Sequence, residues 1–283
     1  MALDLTIVGR ESKPSTLSYD WKTLATYALG VGAKKDELSF LYENAPGGMK
    51  VLPSFAVVPA YAPIMDMLAD SGGDMAMVVH GAQTVRMLGP VPAEATVETT
   101  ARIDAVYDLK KFAQVILSTA STIRGEPVFS TSWSIIFRGA GGFAGPRPPE
   151  NEAPSLPKDR EPDWTLSEAT TPEQALLYRL SGDPNPLHAD PVFAEKVGFP
   201  QGPILHGLCT FGFACRAVLL GACGGDPLRM KSFSAQFRRP VWPGDTLLTR
   251  GFTLEGDRVA IDTRVEERKE SVLANAWAQI APA

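Results

Sequence analysis

Leu208–Ala222 reads LCTFGFACRAVLLGA, a stretch that is apolar on almost every side if it forms a helix. A helix without a polar face has to be buried, and glycines at Gly221 and Gly224-Gly225 mark its end. Four strand-like runs follow, separated by turn residues: Met230–Phe237, Thr246–Leu254, Val259–Glu267 and Ser271–Ile280. One buried helix followed by an antiparallel meander predicts an α+β fold in which the sheet wraps around the helix.

Two more helices are predicted ahead of the buried one. Thr171-Pro-Glu-Gln174 is a capping box with proline at the first helical position, so a helix should run from Pro172 to about Ser181. Gly182 can supply the left-handed residue that ends it. A short helix should run from Pro191 to Gly198, with Asp190 as its cap.

The first 140 residues repeat this plan weakly. Three motifs occur in the same order in both parts of the chain and favour an internal duplication: Tyr27–Gly30 with Tyr178–Gly182, Val79–Thr84 with Leu205–Thr210, and Pro90–Pro92 with Pro240–Pro243. Four strands are predicted in the first part: about Gln83–Gly89, Ala95–Tyr107, Ala113–Ile123 and Pro127–Arg138. Its central helix should be shorter, at Tyr61–Asp70, and lies before His80 rather than after it.

A segment rich in glycine and proline, residues 139–162, separates the two parts. Such a composition cannot build a core and is typical of a linker. We therefore predict an N-terminal domain at 1–140, a linker at 141–163 and a C-terminal domain at 164–283.

Composition excludes several classes of protein. The 283 residues allow two domains or one double unit, and the net charge of −5 argues against nucleic acid as a partner. No run of about 20 apolar residues predicts a membrane span, and residues 1–10 lack the pattern of a signal peptide. Cys209, Cys215 and Cys223 fit neither a disulfide framework nor a zinc site, which favours a reducing cytoplasm. The ending Ala281–Ala283 does not resemble a peroxisomal signal.

The stretch with the most chemical potential is Asp183-Pro-Asn-Pro-Leu-His188, directly after a predicted helix end. Two prolines make it a rigid bend rather than a turn of helix. A rigid bend can point an acid and an imidazole at one water molecule. On the residues alone, an equally good interpretation is that Asp183 and Asp190 cap helices and that His188 is a packing residue.

His206-Gly207 is a second candidate, because it lies where the buried helix begins. The free N–H groups and the dipole of a helix N-terminus attract negative charge, and glycine lets a ligand approach the backbone. Such a position suits the oxygen of a thioester that becomes negative during a reaction. The alternative is a glycine required for close packing of helix on sheet.

Other functional motifs are missing from the sequence. Gly30–Lys35 lacks the third glycine of a dinucleotide loop, and there is no Walker lysine or Gly-x-Ser-x-Gly elbow. The three histidines, His80, His188 and His206, show no metal-ligand spacing. The sequence thus predicts no metal site.

The second part resembles the hydratase 2 motif of (R)-specific 2-enoyl-CoA hydratases, the MaoC-like group. The resemblance rests on three stretches: Ser181–Pro191, Pro203–Gly212 and Phe237–Thr246. The first part is similar to that of the family's two-domain members in Tyr27–Ala33, Leu52-Pro53, His80-Gly81 and Arg138–Phe143. Taken over both parts, the resemblance covers nearly the whole chain.

The resemblance implies a double hot-dog, with two antiparallel sheets side by side, each wrapped around a central helix. It implies reversible addition of water to trans-2-enoyl-CoA, giving (3R)-3-hydroxyacyl-CoA in fatty acid or related metabolism. Asp183 and His188 would be catalytic, and the first domain would be non-catalytic and form a wall of the acyl-CoA cleft. The remaining residues expected to contact substrate are His80, Gly81, Lys110 (or Lys111, toward the CoA phosphates), Pro184, Asn185, Pro186, Leu187, Gly207 and Phe237.

Coenzyme A would be part of the substrate, so no cofactor is expected, and the resemblance implies a homodimer. Two alternatives share the fold. A hot-dog thioesterase would not require the Asp183–His188 loop, and a non-catalytic acyl-CoA binding module would not require an intact Asp–His pair.

Overall fold

The computed structural model describes residues 3–282. Within that range ten strands form one antiparallel sheet: β1 Ser15–Tyr19, β2 Val78–Met87, β3 Ala95–Asp108, β4 Phe112–Ile123, β5 Glu126–Arg138, β6 Trp164–Ala169, β7 Met230–Phe237, β8 Thr246–Leu254, β9 Arg258–Val265 and β10 Glu270–Ile280. Five α-helices accompany it: α1 Trp21–Gly30, α2 Val57–Ala69, α3 Gln174–Tyr178, α4 Pro191–Lys196 and α5 Gly207–Cys223.

The order of the strands supports the predicted duplication. It runs β1-β3-β4-β5-β2-β7-β10-β9-β8-β6, so the second five strands repeat the first five in mirror order from the centre. The double hot-dog is confirmed, with one refinement. β2 and β7 pair antiparallel, from Ala82 with Gln236 to Arg86 with Ser232, and join the halves into one continuous sheet instead of two. Pairing these edges satisfies backbone groups that two separate sheets would leave open.

Each half wraps around one helix, as expected. α2 packs on β1, β3 and β4, and α5 packs on β6, β7, β8 and β10. α2 is shorter than α5, with 13 residues against 17. It begins at Val57, four residues before the predicted start, because Pro59 in its first turn and Pro63 in its interior obscure the helical pattern.

One of the three repeated motifs, Val79–Thr84 with Leu205–Thr210, does not occupy equivalent places in the two halves. His80-Gly81 lies inside strand β2, whereas His206-Gly207 marks the start of α5. By topology the counterpart of the α5 start is the α2 start, which precedes β2. The other two motifs do occupy matching places: Tyr27–Gly30 ends α1 and Tyr178 ends α3, and the proline pairs follow β2 and β7.

The helices of the second half lie where the sequence predicts them. α5 agrees within one residue at each end, and α4 is capped by the Asp190 side chain, which accepts from the N–H groups of Val192 and Phe193. α3 begins at Gln174 rather than Pro172, although the Gln174 side chain does accept from the Thr171 N–H. The edge strands β1 and β6 and the helix α1 have no counterpart in the sequence prediction, since short half-exposed segments carry little periodic signal.

A buried arginine interrupts the apolar surface of α5. Arg216 is 1% exposed and makes bidentate contacts with Glu168 of β6 at 2.7 and 2.8 Å and with Glu37, which follows α1. The three side chains fasten α5 to both halves of the chain. Burial without these two partners would be strongly unfavourable for a guanidinium group.

Residues 139–163 contain neither helix nor strand, which agrees with a linker composition. The first part lies beside the β3–β4 turn, where the Asp108 carboxylate accepts from the Gly142 N–H at 2.9 Å, and the end lies beside β8, where the Arg160 guanidinium donates to the Thr253 oxygen at 2.7 Å. Across residues 3–282, no helix combines the length and the apolarity that crossing a membrane requires.

Candidate active site

The loop that carries the candidate acid and imidazole, Asp183–His188, is rigid because each of its turns is hydrogen-bonded. After α3 the chain makes one 3-10 turn and reverses at Gly182, whose φ of 118° is a conformation that only glycine adopts readily. Asn185 then caps a second turn, Pro186–His188, by accepting from the Leu187 N–H at 3.0 Å. Asp183 and His188 therefore stand at the two ends of one fixed bend.

The two oxygens of Asp183 have different surroundings. Oδ1 accepts from the Tyr61 hydroxyl at 2.8 Å and from the Asn185 N–H at 3.1 Å. Oδ2 receives no hydrogen bond from residues 3–282. One oxygen is thus committed to structure, and the other is available to a ligand or water.

His188 is held in one orientation by a backbone carbonyl. Its Nδ1 lies 2.9 Å from the oxygen of Ile204. Because a carbonyl only accepts, Nδ1 carries the proton and Nε2 keeps its lone pair. Burial lowers the pKa of His188, although the Ile204 carbonyl and the Asp183 charge act in the opposite direction. A neutral imidazole with a free Nε2 is the form that accepts a proton.

His206 completes this cluster, and the sequence analysis missed it as a site residue. Its ring stacks on His188 with centroids 3.8 Å apart, and its Nε2 donates to the backbone oxygen of Asp183 at 3.2 Å. Burial and the neighbouring His188 lower the pKa of His206 to about 2. The motif Pro203–Gly207 contains the signal, but its place at the start of a helix favours the glycine, and not the histidine, as the site residue.

Asp183, His188 and His206 each offer an atom within 4.8 Å of the others, which raises the question of a metal. The two imidazole planes are inclined by only 29°. The nitrogen lone pairs of stacked rings run side by side and do not converge on one ion, whereas a metal lies close to the plane of each imidazole that binds it. The geometry suits mutual packing better than coordination, and the absence of a metal stays a prediction.

Gly207, Phe237 and His80 lie in one row beside the cluster. A side chain on Gly207 would touch the Phe237 ring at 3.3 to 3.6 Å, and the Phe237 ring lies 4.8 Å from that of His80. Gly207 is the first residue of α5, so its N–H is among those without a partner inside the helix. The predicted cleft residues of both halves are therefore brought together.

His80 is held by hydrogen bonding and ring stacking, as His188 and His206 are. It stacks on Trp133 at 4.9 Å with the rings nearly parallel, and its Nε2 donates to the Ala82 oxygen at 3.0 Å. Burial lowers the pKa of His80 to about 4, with the Asp183 charge among the opposing influences. The neighbouring Gly81 occupies a register shift in the pairing of β2 with β5.

The remaining predicted contacts are less enclosed. Pro184, Asn185 and Pro186 are exposed on the loop and Leu187 is half-buried. Lys110 and Lys111 lie exposed in the β3–β4 turn, and neither ammonium group makes a hydrogen bond or ion pair with any described residue. The structure does not bring Lys110 into contact with the cluster, so its role toward CoA stays a prediction.

Two openings adjoin the loop. A small cavity of about 10 Å³ lies on the Asp183 side, lined by Val57, Val58, Tyr61, Tyr178, Ser181, Asp183 and Leu208. A wider opening of about 390 Å³ lies on the His188 side, lined by Pro172, Ala175, Leu176, His188, Ala189, Gln201, Pro203, Trp242 and Pro243. The α2 side of the loop is thus closely packed, and the His188 side is more open.

Two family models match the chain in succession. Residues 17–139 match the hydratase 2 N-terminal domain of MFE-2, and residues 153–276 match the MaoC-like domain. The chain is 39% identical to enoyl-CoA hydratase 2, peroxisomal, of Arabidopsis thaliana, over 91% of this chain and 89% of the relative. It is 38% identical to 3-hydroxyacyl-thioester dehydratase Y of Mycobacterium tuberculosis, over 94% and 92%.

Solved structures agree with this pattern. A MaoC-like dehydratase from Phytophthora capsici superposes with a TM-score of 0.89 at 30% identity, covering 99% of this chain and 98% of that one. A Mycobacterium tuberculosis protein described as a double hot-dog superposes with a TM-score of 0.58 at 14% identity, over 96% and 94%, and speaks for the fold alone. Sequence and fold together show that the chain belongs to the hydratase 2 family of MaoC-like double hot-dog proteins.

Proposed function

We propose that this protein is a hydro-lyase that adds water reversibly to trans-2-enoyl-CoA and forms (3R)-3-hydroxyacyl-CoA. The family is one of hydratases, and relatives that cover almost the whole chain are named as enoyl-CoA hydratase and hydroxyacyl-thioester dehydratase. The observation that carries the proposal is that Asp183 and His188 each offer an atom within 4.8 Å of the other, and that each keeps one polar atom free, Oδ2 and Nε2, while its other polar atom is held by hydrogen bonds.

These two groups supply the acid–base chemistry of the proposed reaction. Asp183 and His188 bind a water molecule between them, and one takes a proton from it while its oxygen attacks C3 of the enoyl group. The electron pair of the double bond moves onto the thioester carbonyl. One of the pair then returns a proton to C2, so the net change is the addition of one water. General acid–base groups of this kind contribute about 10²–10⁴-fold to a rate.

Gly207 is proposed to stabilise the charge that develops on the thioester oxygen. Its N–H stands at the N-terminus of a 17-residue helix, where the backbone favours negative charge. A Cβ at this position would lie only 3.3 Å from the Phe237 ring, so a larger residue would crowd the helix N-terminus.

A direct assay tests the proposal. Purified protein is given trans-2-enoyl-CoA substrates of increasing length, and hydration is followed by loss of absorbance of the conjugated thioester. We expect loss of absorbance and a product that is the 3R isomer on chiral analysis. Release of free CoA without hydration would favour a thioesterase, and binding without turnover would favour an acyl-CoA binding module.

Location and assembly are proposed on separate grounds. We propose a reducing compartment, the cytoplasm, supported by three buried free cysteines; the Arabidopsis thaliana relative is named as peroxisomal, so imaging of a tagged full chain is the test. We also propose a homodimer, which sedimentation would show as twice the chain mass of 30.4 kDa. Exposed apolar side chains on the α3–α4 face support a covered surface: Leu176, Leu180, Val192 and Val197.

A further inference from the structure

Tyr61 connects the first half of the chain to the Asp183–His188 loop of the second half. It lies on α2, and its hydroxyl donates to Oδ1 of Asp183 at 2.8 Å, across 122 residues of sequence. The same small cavity touches both side chains, with Val57 and Val58 of α2 beside them. The helix that lines this cavity therefore also holds the carboxylate.

This contact determines which oxygen of Asp183 is left to react. A carboxylate can rotate, and either oxygen could face the substrate if nothing held it. Oδ1 is held by two donors from different directions, the Tyr61 hydroxyl and the Asn185 N–H. Asn185 belongs to the loop and moves with it, whereas Tyr61 is anchored in another element. Tyr61 is thus the donor that sets the carboxylate relative to the rest of the fold.

The tyrosine remains a neutral donor throughout. Burial raises the pKa of Tyr61, and the nearby Asp183 charge raises it further. A hydrogen bond from a neutral donor to an ionised acceptor is among the stronger ones in proteins. The contact is therefore suited to holding a charged Asp183 without exchanging a proton with it.

We propose that Tyr61 is a positioning residue for the hydration step, which keeps Oδ2 of Asp183 directed at the reacting water. This inference rests on the proposed acid–base role of Asp183. It gives the first half a part in the chemical step as well as in binding.

The test uses Tyr61→Phe, which removes the hydroxyl and keeps the ring. It is assayed on a trans-2-enoyl-CoA beside Tyr42→Phe, a matched change at an exposed tyrosine of the same half. We expect Tyr61→Phe to lower kcat roughly 10- to 100-fold, the usual effect of one hydrogen bond to a charged group, with KM within about twofold. Tyr42→Phe should match the wild type.

A double-mutant cycle separates positioning from a general effect on the structure. In an Asp183→Asn background, Tyr61→Phe should change the residual rate by less than about twofold, because the group it acts through is gone. The proposal is overturned if Tyr61→Phe keeps wild-type kcat, or if the loss is the same in both backgrounds. A wild-type protein without hydratase activity, or a fully active Asp183→Asn variant, would overturn the proposed function itself.

Discussion

Asp183 and His188 differ from surface acids and histidines in that half of each side chain is already committed. Oδ1 of Asp183 accepts hydrogen bonds from two donors, and Nδ1 of His188 donates to the Ile204 carbonyl. A side chain that is held at one atom presents the other in a fixed direction, and preorganisation of this kind lowers the barrier of a proton transfer. The residue types could be read from the sequence, but the division of labour between their atoms could not.

Removal of either group should abolish most of the activity while leaving the fold intact. We expect Asp183→Ala and His188→Ala each to lower kcat by about 10²–10⁴-fold. Both lie on a loop at the edge of the core, so thermal unfolding should remain cooperative. Steady-state kinetics on an enoyl-CoA check this, and a loss of less than about threefold in either variant would contradict the acid–base assignment.

The two glycines of the cleft should behave differently when enlarged. Gly207→Val places methyl groups between the α5 N-terminus and the Phe237 ring, where a substrate carbonyl would bind, and it should mainly lower kcat. Gly81→Ala places one methyl 3.0 Å from Ile136 and 3.2 Å from the Ser134 oxygen, away from the acid–base pair, and it should mainly raise KM.

Alanine, rather than the valine used at position 207, is the test substitution at position 81, because the β5 backbone leaves little space there. Circular dichroism and thermal unfolding serve as the controls for both glycine variants. Equal losses of kcat in two folded proteins would show that Gly207 has no special part in the chemical step.

At the level of elements, prediction from sequence succeeded where the signal was local. β7 and β8 have the predicted bounds and α5 is within one residue, because alternating or fully apolar runs end at glycines and turns that the sequence displays. α2 was placed four residues late because its prolines resemble helix breakers. The contact of Tyr61 with Asp183 could not be predicted, since two residues 122 positions apart leave no periodic trace of their meeting.

The buried triad of Arg216, Glu37 and Glu168 should be the most sensitive ionic contact in the fold. Arg216→Met keeps an unbranched apolar stem but removes the guanidinium and leaves two largely buried carboxylates without a partner, which should lower the free energy of unfolding by about 3–5 kcal/mol. Denaturant titration measures the loss. Arg10→Met removes an exposed pair with Asp70 and should cost about 0–1 kcal/mol. Similar losses in the two variants would show that burial does not strengthen the triad.

At the scale of the molecule, the site is built from both halves of a single chain. Tyr61 and His80 come from the first half, and Asp183 and His188 come from the second, joined through the β2–β7 pairing. A dimer should therefore not be needed for catalysis. We expect specific activity to be retained when the protein is diluted below the dissociation point that sedimentation defines, and its complete loss there would show that a second chain completes the site.

The three histidines should make the whole fold sensitive to mild acid. Burial lowers the pKa of His80 to about 4 and, together with its neighbour His188, lowers that of His206 to about 2, while the pKa of His188 also falls below the ordinary 6.5. Each histidine binds a proton more readily in the unfolded chain than in the folded one. Their contribution to stability is therefore complete above pH 6.5 and is lost as the pH falls from 6.5 toward the folded values.

We expect the urea midpoint to fall steadily between pH 7 and pH 4.5 and to fall less steeply in His80→Gln, which removes one of the three groups. Glu168 acts in the opposite direction, because burial raises its pKa above 4.5 and its protonation favours the folded state. Glu168 is a single carboxyl group, whereas three imidazoles act in the other direction. Its effect on the urea midpoint should be confined to the lower end of the range from pH 7 to pH 4.5. A midpoint that stays constant from pH 7 to pH 5 would contradict the inference that these histidines are neutral in the folded protein.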